Sequence, residues 1–309
     1  MIALFIFCIV LFIYLHVTFQ LRTSNDLEVY EVDNISKNRL EEVCDIRQPV
    51  IIDYYNEHIN KALTRNSLNE NYSSFELKIR KMVDSEDEHS YLPLDMQSVY
   101  KLLKDESESK YYSENNGDFL HETGAEKHMK YNDEFIRPYM VSNCNYDLIM
   151  GANNVTTPFR YEINYRNYFY VTEGKAIIKM APPKSSKYLS EYSDYELFEF
   201  RSPLNPWEVS PIHKADFDKV KCLEIVLEPG KIMYLPPYWW YSIKFQDNAT
   251  IASFKYRTYM NNIAVSPRFC MYLLQNQNIK HTTIKKINQV SSFVGGEINT
   301  EETLEEKNE

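Results

Sequence analysis

The apolar positions of this chain fall into runs of three kinds. Ile2 to Phe19 is almost entirely apolar, with Cys8, His16 and Thr18 as mild interruptions and Arg22 as the first charged side chain. About 20 such residues match the hydrocarbon thickness of a bilayer, so residues 2–19 predict a transmembrane anchor. A cleaved signal peptide is the competing reading, but no positive segment precedes the run and no small-x-small site follows it. The second kind of run is short and alternating, or briefly continuous, as in strands: Glu28–Val32, Pro49–Tyr55 (PVIIDYY), Phe75–Arg80 and Ala249–Tyr259. The third kind has helical spacing. Ser36 caps a short helix to about Asp45, Leu94–Lys104 sets Leu94, Met96, Val99 and Leu102 or Leu103 on one face, and Ser266–Asn278 is a further helix. Asp84–His89 reads as an acidic loop, and the glutamate-rich Glu297–Glu309, with no apolar run, predicts a disordered tail.

Leu227–Phe245, LEPGKIMYLPPYWWYSIKF, carries the densest pattern. A strand ends in a turn at Pro229 and Gly230, a second apolar run follows, and Pro236 and Pro237 then stop it before a Trp-Trp pair. Prolines preset φ and donate nothing to a ladder, so this turn is rigid and re-aims the next strand. Along that strand Trp239, Tyr241, Ile243 and Phe245 share one face and Trp240, Ser242 and Lys244 the other, and one face is expected to line a barrel interior.

Composition narrows the functional class. The 309 residues, 44% hydrophobic and 14% aromatic, suffice for one sizeable domain with extensions. A net charge of −10 without a basic stripe argues against nucleic acid as a partner. Seven glycines against 25 tyrosines is the bias of an AT-rich coding genome, such as that of a large DNA virus or a protist. The five cysteines have no C-x-x-C spacing and are expected to be buried free thiols. His121 and His128, near Glu122 and Glu126, would share a helical face, but no third ligand is spaced to join them, so an exposed polar segment is the better reading.

The "PG, apolar strand, Pro, Trp-Trp" order resembles the JmjC and cupin-like (asparaginyl-hydroxylase-like) oxygenases that use iron and 2-oxoglutarate. Asp147–Ile163, DLIMGANNVTTPFRYEI, looks like that family's "Gly, polar loop, Thr-Pro, His-x-Asp" strand, and Asn167–Pro183 like its "apolar strand, Gly, basic residue, strand, Pro-Pro". Lys184–Val220 is a variable insertion. The resemblance spans about residues 27–260, with dense motifs from 147 to 259. It implies a mainly β fold with flanking helices, a double-stranded β-helix (jelly-roll or cupin barrel), here preceded by the transmembrane helix. The organisation expected is an anchor at 1–22, a cupin-like domain at 23–265, and a C-terminal helix with an acidic tail at 266–309.

In the family, Fe(II) is held by His-x-Asp and by the residue after Trp-Trp. The corresponding positions here are Arg160, Glu162 and Tyr241, so only the acid survives. Arg has no lone pair to offer and stays protonated, which repels a cation from the site. The same-face geometry suggests an Arg160–Glu162 pair with the Tyr241 hydroxyl donating to the carboxylate. The co-substrate side is partly kept: Thr157 matches a family threonine that contacts 2-oxoglutarate, and Tyr111 or Tyr112 a contacting tyrosine. The family's basic residue falls on Ala176, with Lys175 adjacent but on the opposite face unless a bulge intervenes, and Trp239 flanks the pocket. Thr157 as a loop residue and the tyrosines as packed aromatics is the plainer alternative.

Three functional readings follow. The first is a membrane-anchored domain that has lost Fe(II) binding and serves as a non-catalytic binding or structural module, with no cofactor and an unidentified protein partner. The second is a hydroxylase that uses Fe(II) and 2-oxoglutarate with unorthodox ligands such as Glu162, Tyr241 and His213. The third is a metal-free pocket in which Arg160 holds a small anion. Family members pair through C-terminal helices, so a homodimer through Ser266–Asn278 is a candidate. Arg22, Lys37 and Arg39 after the span favour a cytoplasmic domain, whereas sequons at Asn34, Asn71, Asn154 and Asn248 would suit the lumen.

Overall fold

The computed structural model describes residues 1–82, 91–105, 110–195 and 198–278; the expected acidic loop at 84–89 and tail at 297–309 lie outside them. Thirteen strands among the described residues join in one hydrogen-bonded sheet. In chain order they are β1 (Tyr30–Val32), β2 (Val50–Asp53), β3 (Glu76–Lys81), β4 (Leu92–Asp95), β5 (Tyr111–Ser113), β6 (Val141–Gly151) and β7 (Arg160–Tyr161). The others are β8 (Arg166–Ala181), β9 (Tyr192–Asp194), β10 (Glu199–Arg201), β11 (Leu223–Leu227), β12 (Lys231–Leu235) and β13 (Trp240–Thr258).

Two long strands organise the rest because each is used twice. The C-terminal part of β13 (250–258) pairs with β6 and with the first half of β8, which pairs in turn with β12. The N-terminal part of β13 (240–246) pairs with β7 and with the second half of β8, which pairs with β11. The result is two four-strand runs, β6–β13–β8–β12 and β7–β13–β8–β11. The change-over lies at Gly174 on β8 (φ +71°) and at Asp247 and Asn248 on β13 (φ 52° and 58°). Only a residue without Cβ fits there: a Cβ on Gly174 would lie 2.6 Å from the Asp247 carbonyl oxygen and 2.7 Å from the Ala249 backbone.

The alternation expected around the Trp-Trp turn is present. Trp239, Tyr241, Ile243 and Phe245 lie in the main core, while Trp240 joins a second cluster with Phe159, Tyr161 and Phe200. The turn itself is held by Tyr238, whose backbone N–H donates to the Glu162 carbonyl at 2.8 Å.

Ser36 caps the helix Lys37–Cys44 by accepting from the Arg39 N–H, and Ser266–Asn278 is helical as expected. Leu94 belongs to β4 rather than to the following helix, because Pro93 sits in a strand paired with β3 and the helix starts at Met96. Helices Glu57–Ala62 and Arg65–Tyr72 have only short apolar patterns and are marked instead by their caps, Asn56 and Thr64. His121 and His128 are both exposed and fall on separate short helices, parted by Gly124 at φ +71°. All five cysteines are free, but only Cys44 is buried; Cys8 and Cys270 are exposed. Helix Ile2–Gln20 is long and apolar enough to cross a membrane, a property that a signal sequence shares.

Gly174→Ala is expected to lower stability by about 2 kcal/mol or more, from left-handed strain plus displacement of the facing backbone. A reduced urea midpoint at unchanged slope would register it.

Candidate functional site

Arg160 opens β7 and pairs in register with Tyr241 on β13. Together with Glu162 they line a cavity of about 210 Å³. Its remaining wall comes from Glu114 and Asn115 after β5, Asn145, Asp147 and Ile149 on β6, Phe198–Phe200 at β10, and Lys255 and Arg257 on β13.

The charges in and behind this cavity form two linked sets. Arg160 donates to Glu114, whose other oxygen accepts from Arg80 at 2.8 Å. Arg80 also meets Glu199 at 3.2 Å, and Glu199 meets Arg201 at 3.0 Å. The side chains of Glu114 and Arg80 are only 2% and 1% exposed, so each carboxylate needs the cations on both sides. In the second set Glu162 accepts from the Tyr241 hydroxyl (3.1 Å), Lys255 (2.7 Å) and Asn164 (3.2 Å). Arg257 Nε donates to Asn164 at 2.6 Å.

The expected Arg160–Glu162 pair is therefore replaced by two separate pairs. Residues two apart on a strand lie about 6.6 Å apart and project in parallel, so each reaches across the cavity rather than sideways. The Tyr241–Glu162 contact forms as expected. Arg160 also lies over the Tyr241 ring, 5.3 Å from its centroid.

A family model described as "Cupin-like domain" matches residues 25–261. The chain belongs to the cupin-like family. It is also similar to JmjC domain-containing protein D of Dictyostelium discoideum, at 29% identity over 97 residues. That stretch covers 31% of this chain and 21% of the relative.

The resemblance described above implies a metal centre where Arg160, Glu162 and Tyr241 stand, and the residues present do not fit one. Arg160 has no lone pair; burial pulls its guanidinium down, but Glu114 together with Tyr241, Tyr112 and Glu199 outweighs that and holds it well above the ordinary arginine range. Burial, with Glu162 adding to it against the opposing Arg160, keeps the Tyr241 phenol protonated, a poor ligand for Fe(II). Glu162 is already committed to three donors, among them Lys255. Burial pulls the Lys255 ammonium down, but Glu162 and Asp147 outweigh it and hold the group charged.

None of the residues expected around a co-substrate in this cupin-like domain lines the cavity. Thr157 is fully buried as a latch: its Oγ1 accepts from the Ile243 N–H (2.9 Å) and its carbonyl from the Ser242 hydroxyl (2.5 Å). Tyr112 is buried on β5 between β3 and β6, Tyr111 is half-buried beside it, and the Trp239 indole donates to the Arg47 carbonyl at 3.2 Å. Lys175 is exposed, with Glu228 at 2.8 Å, while its neighbour Ala176 is buried; the register irregularity opposite Lys175, between Gln246 and Thr250, does not turn it inward. His213 stands at the start of helix Lys214–Phe217, away from the cavity lining.

Sequence reasoning missed Glu114, Glu199, Lys255 and Arg257. For the last two a signal existed: two cations two residues apart in the otherwise uncharged strand Ala249–Tyr259.

Glu114→Gln leaves the buried Arg160 without its carboxylate and Arg80 with Glu199 alone, and is expected to cost roughly 3 kcal/mol or more in urea unfolding. Acid should act through Glu199. Burial would raise its carboxyl, but Arg80, Arg201 and Arg160 outweigh that and lower it from 4.5 to about 2. Its contribution is complete above the unfolded value and is lost as pH falls from about 4.5 toward 2. The Glu199→Gln variant, less stable at neutral pH, is expected to lose less stability over that interval.

Proposed function

We propose that this cupin-like domain is a membrane-anchored, non-catalytic binding or structural module in which an internal ion-pair network has replaced Fe(II). The observation that carries this reading is that the three ligand positions are committed to one another and to neighbours: Arg160 to Glu114, and Tyr241 with Lys255 to Glu162. The two four-strand runs support a double-stranded β-helix as the framework. Helix Ile2–Gln20 is the anchor, and the positive residues after it favour a cytoplasmic domain. A hydroxylase built on Glu162, Tyr241 and His213 has less support, since His213 is not among the residues around the cavity.

Metal analysis of the purified full chain after incubation with Fe(II) should find no stoichiometric iron, and 2-oxoglutarate should leave the melting temperature unchanged. One iron per chain would overturn the proposal.

A second reading, a metal-free site for a small anion, gains from Arg257 rather than Arg160. Its guanidinium lines the cavity beside Phe198 and Phe269, bonded to an amide oxygen rather than to a carboxylate. A screen of small organic carboxylates by thermal shift should then yield stabilisation in the wild type that Arg257→Leu abolishes and Lys175→Leu does not.

A further inference from the structure

The N-terminal helix and the domain face beside it are too close together for a domain that merely hangs below a membrane. The helix has 19 residues, about 28 Å at 1.5 Å per residue. Its second half is flanked by the domain, with Phe12, Leu15 and Phe19 on one side of an open apolar groove and Tyr139, Met140 and Tyr259 on the other. Only Ile2–Leu11 stands clear, about 15 Å of helix against a hydrocarbon core of about 30 Å. A helix that enters the bilayer to the depth its apolar length requires therefore carries this face in with it.

The face is built for such a position. Tyr139, Met140 and Tyr259 are 58%, 76% and 60% exposed. Met140 is held outward in the left-handed region at φ 57°, a conformation that an apolar side chain rarely adopts. The Lys37 ammonium lies 5.0 Å from the Tyr139 ring centre, the pairing of tyrosine with a basic residue found at membrane–water boundaries. The acidic residues of the groove, Glu41 and Asp45, face Arg166 and would repel a lipid phosphate, so hydrocarbon is the fitting occupant.

We propose that the groove, about 640 Å³, is a lipid site filled by an acyl chain of the membrane that the helix enters, with Tyr139, Met140 and Tyr259 at the edge of the hydrocarbon. This rests on the anchor reading above, and the test separates the two. The full chain is reconstituted in phosphatidylcholine vesicles containing a tracer lipid with a photoactivatable diazirine in its acyl chain, and adducts are mapped by mass spectrometry. Adducts are expected both within residues 2–19 and on Tyr139, Met140 or Tyr259. Adducts on the helix alone would leave the anchor standing and overturn the lipid site; no adducts at all would overturn both. Met140→Asp suits the local backbone, because Asp tolerates positive φ. It should reduce labelling at Tyr259 roughly tenfold, the penalty for a carboxylate in hydrocarbon, without changing adducts at Leu4–Val10. Undiminished labelling at Tyr259 in that variant would likewise overturn the site.

Discussion

Three guanidinium groups and two carboxylates meet where little water reaches them, and their mutual pairing constrains the whole site-bearing half of the domain. Arg80 comes from β3, Glu114 from the segment after β5, Arg160 from β7, and Glu199 and Arg201 from β10. An uncompensated buried charge costs several kcal/mol, so these elements are stable only in the one arrangement that brings the five groups together. The short strands depend on this most. β7 contributes two residues and β10 three, too few for ladder hydrogen bonds alone to secure their register.

The cupin-like framework supplies a place, and the residue types decide what fills it. The pairing of β7 with β13 places Arg160, Glu162 and Tyr241 around a common cavity. The Arg160 guanidinium calls for an anion, which Glu114 provides, and the protonated Tyr241 phenol donates to Glu162. Buried pairs of this kind add little net stability compared with apolar packing, but they penalise alternative arrangements heavily. Arg257 stands apart, its guanidinium bonded to Asn164 and stacked beside two phenylalanine rings, and so keeps cationic character on the cavity wall.

The relation between helix and domain follows a similar logic at larger scale. Arg47, buried beneath Tyr165, lies 5.6 Å from the centre of the Phe19 ring, so the last turn of the apolar helix is seated on the domain rather than tethered by a flexible linker. A seated helix also fixes where the exposed aromatic residues beside it stand relative to its own apolar surface.

Much of this was legible in the linear chain because it rests on local chemistry. Period-two alternation assigned Tyr241 and Trp240 to opposite faces, the Pro-Pro turn marked the strand that carries them, and Ser36 announced its helix. The pairing of charges was not legible. Arg160 finds Glu114 at a separation of 46 residues and Glu162 finds Lys255 at 93, and neither partner has a local pattern that identifies it. Lys175, adjacent to the motif position at Ala176, was expected on the opposite face unless a bulge intervened, and it is exposed beside Glu228 despite the register irregularity opposite it. By itself the sequence determined which side chains occupy the three converging positions, since side-chain direction along a strand is a backbone property. Only the tertiary structure decided which charge answers which, because that depends on where distant strands are brought together across the bend at Gly174.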